Sequence, residues 1–129
     1  MTNKLVLDTS ILVRFFSGDD VEKMKQAQLL LNSEKNMYVP SVVFPEIEYV
    51  LIKVYGLSKS DVMKAYLYLL SNKQIQIPEE VREANELYKI SNIGMSDCII
   101  AVNSFGGLLA SNDNKLLKIK GINNYWKKS

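Results

Sequence analysis

Histidine is missing from this chain of 129 residues, and cysteine occurs once, at Cys98. Without histidine, no Ser-His-Asp or Cys-His pair can form and no His-rich zinc site can be built. With one cysteine, no intrachain disulfide can close. Acid–base or metal chemistry therefore falls to carboxylates, lysines, hydroxyls or the backbone. Long apolar runs are missing too, since nothing approaches the roughly 18 consecutive apolar residues of a membrane helix. Met1-Thr2-Asn3-Lys4 leads into only three apolar residues before Asp8, too few for the apolar region of a signal peptide. A reduced cytoplasm is the expected compartment, with no membrane partner.

What is present is ordinary for a globular protein. Hydrophobic residues make up 47% and charged residues 23% of the chain, which excludes a disordered or fibrous class. The length predicts a single domain over 1–129, large enough to bury roughly two-thirds of its unfolded surface. The net charge of +2 is unevenly spread. Residues 1–113 carry 11 basic against 14 acidic side chains, whereas 114–129 carry Lys115, Lys118, Lys120, Lys127 and Lys128 with no acid. Such a tail suits either plain solvation or a polyanion such as RNA.

Short β-like runs alternate with helical patterns. Strands are expected at 4–7, 37–39, 74–77, 108–110 and 122–125. Helices are expected at 9–16, from an Asp19 or Asp20 cap through Leu31, at 41–55, from Ser58 or Ser60 to 70, at 78–90, at 97–105 and at 112–119. Pro45 falls in a first helical turn, where its missing N–H costs little. Gly18, Gly56 and Gly106-Gly107 stand at helix stops. Strands joined by helical crossovers predict an α/β fold, a three-layer sandwich around a central parallel sheet of four to five strands. Such sheets bind ligands beyond the carboxyl ends of their strands.

That rule singles out acids. Asp8 directly follows the first strand, Asp113 follows the 108–110 strand by three residues, and Asp97 sits in the first turn of its helix. Capping and the helix dipole also account for each of these three taken singly. Glu46 lies at the edge of the apolar face formed by Val43, Ile47, Val50, Leu51 and Val54, between Val42 and Val50; Glu48 lies further round and reads as the solvated acid. A carboxylate beside a core needs a partner or a metal. Were Asp8, Glu46, Asp97 and Asp113 to converge, their repulsion would favour a divalent cation, and an oxygen-only donor set selects Mg²⁺ or Mn²⁺ over Zn²⁺. An open carboxylate-held metal site suits phosphodiester hydrolysis.

The motifs resemble a known family. Asp8-Thr9-Ser10 after an apolar strand is similar to the opening of PIN domains, particularly the VapC-type ribonuclease toxins of toxin–antitoxin pairs. The likeness continues through Pro40-Ser41-Val42-Val43-Phe44-Pro45-Glu46 and Val50-Leu51, then Ser96-Asp97-Cys98-Ile99-Ile100-Ala101, and ends with Ala110-Ser111-Asn112-Asp113-Asn114-Lys115-Leu116. The resemblance implies a PIN fold, a metal-dependent endoribonuclease acting on RNA, a homodimer and a cognate antitoxin. It places Asp8, Glu46, Asp97 and Asp113 at the family's acidic metal positions. Thr9 or Ser10 takes the place of the hydroxyl after the first Asp, holding water or orienting Asp8, and Ser111 that of the small hydroxyl residue before the last acid. Cys98 stands where a small residue such as alanine is usual, and Asn112 and Asn114 flank Asp113. Arg14 and the basic tail would meet substrate phosphates. Tyr49, Tyr66, Leu67, Leu69 and Leu70 read as core or dimer surface in preference to base-stacking platforms.

Rival readings remain at this point. A haloacid-dehalogenase-like phosphatase needs a second Asp two residues after the first, where Ser10 stands. A phospho-receiver needs an Asp at a middle strand end, where Pro78 follows the 74–77 run. A non-catalytic PIN-like module binding RNA or protein is the third alternative.

Overall fold

A computed structural model describes residues 3–126; Lys127 and Lys128 of the basic tail lie outside the described residues. The chain forms two compact units, Met1–Pro78 and Glu79–Ser129. Among the described residues no helix is long and apolar enough to cross a membrane.

The first unit is built on three parallel strands, β1 (Leu5–Val6), β2 (Met37–Tyr38) and β3 (Ile75–Gln76), in the order β1-β2-β3. Leu5 lies opposite Met37, and Met37 opposite Ile75. Alternation along the strands decides which side is buried. Leu7, Met37, Val39 and Ile75 are buried, whereas Val6 and Gln76 are exposed. Strand pairing runs slightly past the named residues, with Leu7 N–H donating to Tyr38 O at 2.9 Å. It stops where Asp8 opens a helix and where Pro40 offers no N–H.

Helices α1 (Thr9–Ser17) and α2 (Val21–Ser33) pack on each other. Gly18 ends α1 in the left-handed region at φ 64°, a backbone state that costs glycine nothing. Asp20 caps α2 by accepting from Lys23 N–H at 3.1 Å. The helix expected from Ser41 to Tyr55 has two parts. Helix α3 (Val43–Tyr49) is followed by a π-helical turn, Val50–Val54. In it, Tyr55 N–H reaches back five residues to Val50 O at 3.2 Å. Helix α4 (Lys59–Ser71) opens with a reciprocal cap between Ser58 and Asp61. Phe44, Ile47, Val62, Tyr66 and Leu69 have no exposed surface, each contributing about 1.5–3 kcal/mol of burial where the side chain is large. Tyr66 also donates its hydroxyl to Phe44 O at 2.5 Å, with the two rings 5.3 Å apart, which fixes α3 from within.

The second unit pairs α5 (Glu79–Ile90) with α6 (Met95–Ser104), burying Val81, Ala84, Tyr88, Met95, Cys98 and Ala101. Asn103 Nδ2 reaches Glu80 Oε2 at 2.9 Å across the pair. The runs expected as a fourth and fifth strand meet in a single parallel bridge, Leu109 with Asn124. The helix expected over 112–119 contracts to α7 (Asn114–Leu117). A parallel sheet flanked by helices is thus the architecture, with three strands among the described residues.

Candidate active site

The site begins where β1 hands the chain to α1. Asp8 has extended backbone, φ −89° and ψ 157°, and caps α1. Its Oδ2 accepts from Ser10 N–H at 3.2 Å and from the Ser10 hydroxyl at 2.6 Å. These bonds favour the ionised carboxylate, so Asp8 titrates below its ordinary value of 3.8, the Ser10 hydroxyl being the largest cause and slight desolvation of this exposed side chain opposing it. Ser10 is therefore the residue that orients Asp8. It also stands where a phosphatase of the haloacid-dehalogenase type would need its acid.

Thr9 turns the other way. Its hydroxyl donates to Glu46 Oε1, joining α1 to the first turn of α3. Asp8, Thr9 and Glu46 line one cleft of about 700 Å³, together with Arg14, Val42, Pro45, Tyr49, Val50 and Tyr55. Glu46 is exposed and Glu48 half-buried, the reverse of the order expected from the helical wheel. The reason is local. Val42 and Val50, which flank Glu46 on the wheel, border an open cleft instead of packed core, so this edge of α3 faces solvent. Arg14 approaches Asp19 at 3.6 Å, and Asp19 is lowered from its ordinary value chiefly by the Ser17 hydroxyl, with Tyr55 and Arg14 adding to it.

Asp97 and Asp113 belong to the second unit. Asp97 is half-buried at the third position of α6, whose cap is Gly94, two residues before Ser96. Asp113 caps α7, its Oδ1 accepting from Lys115 N–H at 2.9 Å and Leu116 N–H at 3.3 Å. Ser111 accepts from Asp113 N–H at 3.0 Å and so shapes the turn that presents this acid. Cys98 packs in the core, its sulfur 3.8 Å from the Ser91 hydroxyl. Among the described residues, no three acidic, histidine or cysteine side chains gather into a group that could hold a metal ion. The first-unit cleft brings together two of the four expected acids.

The aromatic wall of that cleft escaped the sequence reading. Tyr66 and Leu69 are core, as expected, but Tyr49 lines the cleft and is 64% exposed. Tyr55 joins it through the π turn, for which the sequence carries no local signal beyond the stop at Gly56.

Comparison with curated proteins gives no match for this chain. Comparison with protein families does: the PIN domain matches residues 5–121, from the first residue of β1 to just past α7. The match takes in the Asp8 cap, the Glu46 turn, Asp97 and Asp113 within one pattern. The chain belongs to the PIN domain family, whose members are generally nucleases.

Proposed function

We propose that this protein is a metal-dependent endoribonuclease of VapC type, the toxin of a toxin–antitoxin pair, working in the cytoplasm as a homodimer and silenced by a cognate antitoxin. The observation that carries the reading is the pairing of Asp8 and Glu46 in one open cleft through the Thr9 hydroxyl. The family match runs across both compact units, which supports treating 1–129 as one functional domain.

The cleft's donor set is hard and oxygen-only, which suits Mg²⁺ or Mn²⁺. Asp8 and Glu46 would hold the ion, with Asp97 and Asp113 as the proposed further acids. A bound ion of this kind supplies positive charge to the phosphate and lowers the pKa of attacking water. The protein's own share is positioning. Ser10 keeps Asp8 ionised, Thr9 fixes one oxygen of Glu46, and Arg14 offers a cation at the cleft wall for a substrate phosphate.

The test is cleavage of RNA by purified protein with Mg²⁺ or Mn²⁺, with EDTA, and after Asp8→Asn or Asp97→Asn. The expected result is metal-dependent cleavage that both substitutions abolish while circular dichroism stays unchanged. Cleavage indifferent to both substitutions overturns the site assignment. A second reading, a non-catalytic module that binds RNA or protein, draws on the scarcity of clustered acids among the described residues. It predicts binding without product.

A further inference from the structure

The last part of the second unit carries features that the cleft does not use. From residue 114 onward the chain has Lys115, Lys118, Lys120, Lys127 and Lys128 and no acid, and Trp126 is its single tryptophan. Lys115, Lys118 and Lys120 are exposed, and among the described residues none of the three forms an ion pair. Tyr125 is 56% and Trp126 57% exposed, with ring centroids 5.2 Å apart and planes at 86°. An exposed ring by itself carries no meaning. Here two adjacent rings stand on a segment that the backbone pins in place. Leu109 N–H donates to Asn123 O and Tyr125 N–H to Leu109 O, both at 2.8 Å, and Trp126 N–H donates to Asn124 Oδ1 at 3.1 Å. Gly121, at φ 96°, lies beside the Phe105 ring, where the first carbon of any side chain would meet that ring at 3.3 Å. The bridge from Leu109 to Asn124 closes a loop that contains all three lysines, so cations and rings share one short stretch of surface. Groups ordered in advance lose little freedom on binding.

Charge and shape together select the occupant. Unpaired lysines on a stretch without acids call for an anion. An anionic bilayer calls for an amphipathic helix lying in its interface, and α7 has four residues. An acidic peptide answers the lysines but not the rings, because the face of an aromatic ring is negative and turns carboxylates away. A nucleic-acid strand answers both, with phosphates for the lysines and planar bases for the rings.

We propose that Tyr125 and Trp126, with Lys115, Lys118 and Lys120, form a second RNA contact on the second unit, one that holds bases and phosphates other than those at the Asp8 and Glu46 cleft. The residues of that cleft all belong to the first unit. The choice of RNA as the strand rests on the nuclease reading above, but the contact is measurable without cleavage.

Trp126, as the single tryptophan, reports on the site directly. Its fluorescence is titrated in EDTA with a 2′-O-methyl oligoribonucleotide, with polyglutamate and with phosphatidylglycerol vesicles. Saturable quenching by the oligoribonucleotide alone is the expected result. Quenching by polyglutamate at matched charge, or a blue shift with the vesicles, overturns the assignment to RNA. Anisotropy of the same oligoribonucleotide, labelled with fluorescein, then compares the wild type with Trp126→Phe, Trp126→Leu and a triple variant, Lys115→Gln, Lys118→Gln and Lys120→Gln. Trp126→Phe should stay within about threefold, and Trp126→Leu should raise Kd by about five- to a hundredfold. In the triple variant the slope of log Kd against log salt should shrink by about 2. A Kd unchanged in Trp126→Leu, or a slope unchanged in the triple variant, overturns the proposal. Cleavage assays separate this failure from that of the nuclease reading. RNA cleaved by a protein whose tryptophan is not quenched removes the second contact alone. Quenching without cleavage in Mg²⁺ or Mn²⁺ keeps the contact and removes the nuclease reading, and neither signal removes both.

Discussion

The Thr9 hydroxyl donates to Glu46 Oε1 across 37 residues of sequence. That bond joins the helix that begins at Asp8 to the helix that carries Glu46, so a single small side chain ties together the two segments that bear these acids. Thr9→Val keeps the shape and removes the donor. Cleavage and Mn²⁺ affinity should fall about ten- to a hundredfold, the range for groups that orient metal-holding side chains, while Thr9→Ser stays close to wild type. Calorimetric titration of Mn²⁺ into the three proteins reads the difference directly.

Asp8 serves a cap and a cleft at once. Asparagine caps a helix as well as aspartate does, so Asp8→Asn should leave the thermal midpoint nearly unmoved while activity drops about a hundredfold or more. Asp8→Ala removes both functions, and its extra loss should appear as about 0.5–2 kcal/mol of stability. Denaturant melts beside cleavage rates separate the two contributions.

Ser10 depresses the titration of Asp8, and the sign of the consequence is fixed. A carboxylate whose folded-state value lies below 3.8 adds stability at pH above 3.8 and loses it as pH falls through the depressed value. In Ser10→Ala the largest depressing bond is gone, so the Asp8 titration moves up toward 3.8 and the acid limb of the activity profile moves with it. Carbon-detected NMR titration of the Asp8 carboxyl in both proteins checks the direction. The stability gap between them should also narrow as pH drops below that range.

Tyr66→Phe tests how firmly α3 is held. The substitution leaves the ring in the core but strips the donor from Phe44 O, two residues before Glu46. Loss of a buried hydrogen bond of this kind costs about 1–3 kcal/mol. Urea unfolding should show that loss, and kcat should fall along with it if the position of α3 sets the position of Glu46.

Much of the fold was legible because local chemistry marks it. Asp8, Asp20 and Ser58 cap the helices their types predict, Gly18 ends α1, and the three parallel strands fall inside the expected runs. The strands are shorter than their apolar stretches, because Leu5, Met37 and Ile75 pair only until a cap or a proline intervenes. Periodicity could not reveal the π turn at Val50–Val54, since four of its five residues are apolar and Lys53 alone leaves little phase to shift. For the same reason the wheel misplaced Glu46 and Glu48: it counts side chains on a face and is blind to a cleft beside that face. Either Thr9 or Ser10 was expected to serve Asp8, and geometry gives each its own acid, Ser10 to Asp8 and Thr9 to Glu46.

The wide turn between α3 and Gly56 is, in chain terms, a helix carrying one surplus residue. Trimming one position from 51–54 would restore ordinary winding and leave Tyr55 one turn beyond Val50, whereas ordinary winding of the full segment would put Val54 there, with the acidic residues untouched in both cases. The phenol at the mouth of the cleft is thus fixed by winding and chain length together, and a change in either one alone would move it.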